Sequence, residues 1–456
     1  MPDMMAGTHR AGGRWYWRTL CLACLVLPLP LVAQDDVKEP ESAAAPAAPP
    51  DVIARIEFVG NRVTRRQILL QEMLVKEGDV ADPALIEQSR QAIMDLGLFT
   101  AVHAVVEPDE GGSLLRIILK EKYYILPVPK LNRNDKDKFN LGAEISFDNL
   151  GGHNQQLKIK YETEEATGLS GGQINTRSLS YYYPRVYGSP YLFRTEISEL
   201  HQPAEVVTGG VLGSLYDKQE WKVGLQVSRW INRTGPSRGW QIGGGIIWRH
   251  NAYDYVSMAT TSTFQDAQAV GLTLLGQYVD VRDFLFSRQG YEYGYIGEYG
   301  APVLGSDTQY TRHEFFYRQY MLLAGRPHEN IDFQGRLGLS SGDIFLGDTT
   351  AYSIGGSRSL RGYDSGSLAG NAFVLFNVQY LRPLFGYYPL RGVLFLDAGN
   401  AYPNNEQINL GDLKWSAGVG LRLRVKSFVK FNLRMDASYA YDTGEYRLFA
   451  GTSEVF

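Results

Sequence analysis

The chain has 456 residues, enough for two or three ordinary domains, and its formal net charge of −4 leaves no electrostatic footprint for nucleic acid. Glycine (49) and tyrosine (29) are abundant. Beyond the N-terminus no apolar run approaches the ~20 residues of a membrane-spanning helix, which excludes a helical membrane body and points to many short strands.

Residues 1–33 read as a cleaved secretory signal. His9, Arg10, Arg14 and Arg18 form a basic start, Thr19–Val32 an apolar core, and Leu31-Val32-Ala33 a cleavage site. An uncleaved anchor is the alternative, but Pro28 and Pro30 break the core. A lipoprotein box at Cys24 has too little apolar chain before it. Both cysteines, Cys21 and Cys24, lie in this segment, so the mature chain is expected to have no disulfide and no cysteine-ligated metal. Residues 34–50 are acidic, then Ala/Pro-rich, the composition of a disordered linker.

Residues 51–124 predict a small α+β unit in the order strand, helix, helix, strand, strand. Ile53, Ile56 and Phe58 open a strand that Gly60-Asn61 ends, and Thr64 is the expected N-cap of a helix through Ile68, Leu69 and Met73. Asp82-Pro83 starts the second helix and Gly97 closes it. Phe99–Glu107 and Leu114–Lys120 flank a hairpin at EPDEGGS. The order, and the phrase LGLFTAVHAVVEPDEGG, resemble a POTRA domain, which implies a periplasmic location. His103 reads as an ordinary strand residue.

From Lys138 onward the apolar pattern changes to period two. In Leu413–Val425 every odd residue is apolar or Ala, while the even ones are Lys, Ser, Gly, Gly, Arg and Arg. Such segments run to about a dozen residues, against the ~5–6 of soluble sandwiches and near the ~9–11 needed to cross a bilayer at a tilt. The predicted fold is therefore an all-β transmembrane barrel of about 16 antiparallel strands over 138–456. Starts are expected near 138, 154, 173, 190, 205, 219, 239, 270, 289, 311, 329, 371, 389, 413, 429 and 445. An even count puts both ends of the barrel chain on one side, which the POTRA-like unit implies is the periplasm, with short turns there and longer loops outside.

The longest connection, 342–370, follows the eleventh segment and carries GGSRSLRGY (355–363), with Arg358, Leu360, Arg361, Gly362 and Tyr363. Loops of this length are usually functional or disordered. In the thirteenth segment Leu394, Leu396 and Ala398 share the lipid-facing parity, leaving Phe395, Asp397 and Gly399 in the lumen. An inward-folded loop could then pair Arg361 with Asp397, bidentately, at a net ~1–3 kcal/mol. A solvated surface Arg pair is the alternative.

SLRGY is similar to the [VL]-R-G-[FY] loop motif of the BamA/TamA superfamily, FLDAGN (395–400) to its F-x-D-x-G strand, and DVRDFLFSRQGY (280–291) to its D-x-R…G turn. The resemblance implies that Arg361 and Asp397 are the lumenal pair, with Gly362 and Tyr363 shaping the loop tip. Many relatives carry a Glu on the twelfth strand as second acceptor; Gln379 occupies that place here. Assembly barrels carry several POTRA units, two-partner secretion barrels a pair plus a plug helix, and patatin-fused barrels an upstream lipase. This sequence shows one POTRA-like unit behind an Ala/Pro-rich leader.

GLSGG (168–172) matches a nucleophile elbow in letters only, because it sits in a polar connection rather than a strand–turn–helix. The His residues show no ligand spacing, so no metal, cofactor or enzymatic role is expected. The favoured function is insertion or translocation of unfolded, β-rich polypeptides at a seam in the outer membrane, by β-augmentation. The seam is expected to join a first strand with Phe139, Leu141, Ala143, Ile145 and Phe147 to a last strand with Leu448, Gly451 and Phe456. Partners are outer-membrane lipid, the client chain, and periplasmic or lipoprotein factors on the POTRA unit. A dedicated secretion channel for one polypeptide or lipid is the alternative.

Overall fold

The computed structural model describes residues 52–133, 139–165, 171–208, 211–231, 238–258, 264–342, 350–429 and 431–452. The expected signal and linker, most of GLSGG, and Phe456 lie outside the described residues.

The N-terminal unit comprises β1 (Ile53–Val59), α1 (Arg66–Leu70), α2 (Pro83–Asp95), β2 (Phe99–Asp109) and β3 (Gly112–Glu121). Its sheet order is β1-β3-β2, with β1 parallel and β2 antiparallel to β3. Period-two residues Leu115, Ile117 and Leu119 pack with Ile53, Ile56, Ile86 and Ile93 in one core. The Asp82 carboxylate accepts the Ala84 N–H at 2.8 Å beside Pro83, as a helix start requires. Thr64 is not the cap of α1; Arg65 holds that position without a side-chain bond. Glu121 of β3 accepts the N–H groups of Arg62, Val63 and Thr64 at 3.1, 3.0 and 2.7 Å, which turns the Thr64 hydroxyl toward Tyr124 and Asn149 instead.

Sixteen further strands form one antiparallel sheet. In order they are β4 (Ile125–Arg133), β5 (Phe139–Leu150), β6 (Gln155–Glu165), β7 (Gln173–Tyr183), β8 (Tyr191–Thr208), β9 (Val211–Trp230), β10 (Gly239–Met258) and β11 (Ala267–Asp283). Then follow β12 (Arg288–Gly300), β13 (Tyr310–Leu322) and β14 (Asn330–Gly342). The short pair β15 (Tyr352–Ile354) and β16 (Leu368–Gly370) belongs to the loop. After it come β17 (Ala372–Leu384), β18 (Tyr387–Tyr402), β19 (Lys414–Arg424), β20 (Asn432–Ala440) and β21 (Tyr446–Gly451). Apolar residues of one parity, such as Leu225, Val227, Leu394, Leu396, Val419 and Leu421, face outward, while charged residues of the other parity are covered inside. A two-residue turn, Phe385-Gly386, joins β17 to β18 with both φ positive (55° and 70°), the geometry that suits a hairpin twist.

Two expectations are corrected. The sheet begins at Ile125, not 138, so the strand holding Phe139, Leu141, Ala143, Ile145 and Phe147 is the second, paired on both sides. Pro127 and Pro129 hid the true first strand, because proline reads as non-strand except at an edge, which is where β4 lies. The three segments expected from 190 to 230 are two long strands, β8 and β9, with Pro203 inside β8. One missed strand and one spurious division cancel, so the count of sixteen stands.

The N-terminal unit sits directly beneath the sheet's turns. Arg65 N–H donates to Gly152 O at 3.1 Å, Arg185 pairs with the buried Glu72 at 3.0 Å, and Val429 from the β19–β20 turn joins the unit's own core. The end of α2 helps line a cavity of about 610 Å3 in the lower lumen, together with Lys122, Lys158, Lys160 and Arg358. Burial pushes the Asp95 carboxyl there up to about 6, with Asp283 adding and the Gln91 amide, Arg238 and Arg282 opposing. A raised carboxyl pKa gives stability that is fully present below about pH 4 and is lost as pH rises through 6. Stability from thermal melts of the purified protein is expected to fall between about pH 4 and pH 6, by about 1–2 kcal/mol after discounting for partial exposure. Asp95→Asn should flatten that profile; an unchanged slope would show that another group titrates.

Candidate functional site

Residues 350–371 of the connection between β14 and β17 fold into the lumen around the β15–β16 ladder, with a tight tip closed by Gly356 N–H to Tyr363 O at 2.9 Å and Tyr363 N–H to Leu360 O at 3.2 Å. Leu360 is completely buried with Tyr352, Ile354, Tyr363, Phe373 and Leu375. This apolar plug gives the polar Gly/Ser loop a reason to leave solvent. Tyr352 reinforces it: its single hydroxyl proton lies between the carbonyls of Leu339 and His313, 2.8 and 2.9 Å from the oxygen, which also accepts the His313 N–H at 3.0 Å.

The tip presents Arg361 to Asp397 of β18. Arg361 Nε and Nη2 donate to Oδ2 and Oδ1 at 2.7 and 2.6 Å, and the Arg361 backbone N–H adds a third bond at 3.1 Å. Both side chains are about 1% exposed or less. The guanidinium carbon lies 3.5 Å from the Phe395 ring centroid, so the face of the cation rests on an aromatic surface in place of water. Period two along β18 places Phe395, Asp397 and Gly399 on this wall, and a Cβ at Gly399 would meet Val374 O of the neighbouring strand at 2.9 Å and the Leu375 side chain at 3.0 Å.

The remaining expected residues are distributed around this pair. Gly362 approaches so closely that a Cβ there would meet Ser416 Cβ at 2.6 Å and Ala440 Cβ at 3.0 Å. Its N–H donates to Ser416 Oγ at 3.2 Å. The Tyr363 hydroxyl bonds to Asp442 and to Trp415 O. Arg358 does not join the pair; it projects into the lower cavity. Gln379 is on the lumenal wall but donates to Asp332 at 3.2 Å, not to the loop. The twelfth-strand partner is Asn377, directly opposite Asp397 in the ladder, whose amide donates to Asp397 Oδ1 at 2.8 Å and to Ser359 O at 2.6 Å. A carboxylate already holding Arg361 gains from another donor, which Asn supplies.

Three ties to the last strands carry no motif signal. Ser438 Oγ donates to Arg361 O at 2.6 Å, Arg447 Nε donates to Gly362 O at 2.9 Å, and Arg447 also pairs with Asp364. Arg447 belongs to β21, so the loop tip grips the sheet's C-terminal edge. Alternation in YRLFAG puts Arg447 inside, but nothing in the letters says that a loop residue waits there. The two sheet edges, β4 and β21, approach within 8 Å between Cα atoms, yet no ladder joins them among the described residues. Leu448 is 70% exposed on the outer face, and Gly451 closes β21 opposite Arg434.

Comparisons with known proteins agree with this arrangement. The Omp85 superfamily domain is matched over residues 149–446, and the surface antigen variable number repeat, a POTRA unit, over 52–122. A curated relative, the outer membrane protein assembly factor BamA of Nitratidesulfovibrio vulgaris, is 21% identical over 390 residues, 82% of this chain and 47% of its own length. The chain thus spans about half the length of that relative. Among solved structures, BamA from Haemophilus ducreyi lacking POTRA domains 1–3 aligns with a TM-score of 0.53 at 18% identity, covering 88% of this chain and 84% of that one. CdiB from Escherichia coli aligns at 0.61 and 15%, covering 88% and 75%. These likenesses establish the fold.

Removing one partner of a buried ion pair typically costs about 3–5 kcal/mol, because the other charge stays buried. Arg361→Ala and Asp397→Ala are each expected to free the loop for cleavage by protease added to intact cells, and to lower the temperature at which the folded band is lost on gels. The double variant should be no worse than either single one; additive losses would mean the two residues act separately. Gly362→Ala should release the loop as well, by steric conflict with Ser416 and Ala440.

Proposed function

The chain belongs to the Omp85 superfamily, and from that premise we propose that it inserts or translocates polypeptides at the bacterial outer membrane. The barrel lies in that membrane and the POTRA unit below it in the periplasm. The observation that carries the proposal is that no ladder joins β4 and β21 among the described residues, with the loop gripping one side of this seam through Arg447 and Ser438. Backbone groups left open in hydrocarbon are costly, so an extended segment that pairs with them is stabilised by strand addition. The POTRA unit, packed under the turns beside the seam, is placed to hand over such a segment. The buried Arg361–Asp397 pair keeps the gripped side in register while the other side yields. Nothing in this scheme forms or breaks a covalent bond, and the protein acts as a transport or assembly factor rather than an enzyme.

A secretion pore for one dedicated polypeptide or lipid is the second reading, favoured by the charged cavity beneath the loop. The two separate in a deletion strain. Insertase activity predicts that several outer-membrane barrel proteins fall severalfold in abundance and that the Arg361→Ala form fails to restore them. Unchanged barrel levels, together with a large steady conductance of the purified protein in planar bilayers that Arg361→Ala alters, would overturn the insertase reading for the pore.

A further inference from the structure

The two edges of the seam are chemically unequal. Along an antiparallel ladder, residues alternate between pointing both backbone groups at the partner and pointing both away. Asp148 N–H donates to Tyr124 O at 2.7 Å, so the even residues of β4 face β5 and the odd ones face the open edge. Tyr123, also odd, follows the rule by donating to Ser427 O at 2.7 Å. The open edge of β4 therefore consists of Ile125, Pro127, Pro129, Leu131 and Arg133, and two consecutive positions on it have no N–H to give.

The opposite edge has no such gap. Ala440 N–H donates to Glu445 O at 3.0 Å, and alternation from there sends the backbone groups of Tyr446 and Leu448 away from β20, toward the seam. Both residues keep donor and acceptor. This strand is also the one fixed by the loop, through Arg447 to Gly362 and Asp364.

We infer that an incoming strand is received by the edge of β21, not by the edge of β4. A segment laid along β4 would leave carbonyls facing Pro127 and Pro129 without donors in a medium that supplies none. The same deficit disfavours a ladder between β4 and β21 along the described residues, which leaves that stretch of the seam available to a client. The fitting client is an extended chain with apolar side chains beside Tyr446 and Leu448 on the lipid face and polar ones beside Arg447 on the lumenal face. This rests on the strand-addition reading of the function.

The test uses the full chain in liposomes, with photo-crosslinking benzoylphenylalanine at Leu448 or at Ile125. The probe is a synthetic peptide with the sequence of residues 446–456, chosen because it puts Tyr446, Leu448 and Ala450 on one face and Arg447 on the other. Labelling from position 448 is expected to exceed that from 125 severalfold. The Pro127→Ala/Pro129→Ala double variant, with its folded gel mobility checked, should raise labelling from 125 toward that from 448. Equal or stronger labelling from 125 in the unaltered protein, or a double variant with no effect, overturns the inference and leaves strand addition standing. No labelling from either edge overturns both.

Discussion

The ion pair between Arg361 and Asp397 governs the rest of the lumen. A carboxylate in a barrel wall facing a partly wet interior could remain solvated by itself. Here it is sealed under a loop and receives four donors, three from Arg361 and one from Asn377. Sealing a charge is unfavourable unless its partner is sealed with it, so the pair holds only if the whole loop tip is seated. Seating then depends on shape, above all on glycine at 362 against Ser416 and Ala440. Electrostatics and packing are thus coupled, and neither positions the tip alone.

The consequence is a barrel with one braced flank. From β17 to β21 the wall is cross-linked from inside by loop contacts to Asp397, Ser416, Trp415, Ser438 and Arg447. Further charged groups on the same flank, Arg422, Asp436 and Arg434, are themselves paired. At the other end of the sheet, β4 is joined by a ladder only to β5 among the described residues.

Much of this was legible in the letters, for a physical reason: period two assigns every strand residue to a face. Parity alone puts Asp397 inside and Leu394 and Leu396 outside, and their burial agrees. A mid-loop arginine next to glycine then needed only a lumenal acid. What could not be read depends on register and on absent atoms. Gln379 and Asn377 share a face, and only the β17–β18 ladder decides that Asn377 lies opposite Asp397. Arg447 points inward by parity, but its partners are loop atoms far away in the chain. Pro127 and Pro129 argued against a strand because a missing N–H is costly inside a sheet; at a free edge that objection disappears.

The β19–β20 turn is shared property of two cores. Val429 is buried among the POTRA unit's Ile, Leu and Phe side chains, and Phe428 lies 5.4 Å from Tyr123, the residue that leads into β4. One flank of the seam is therefore bolted to the periplasmic unit through that valine and the other through the chain itself. A displacement of the unit would have to pull the valine from its socket or carry the β19–β20 hairpin along with it.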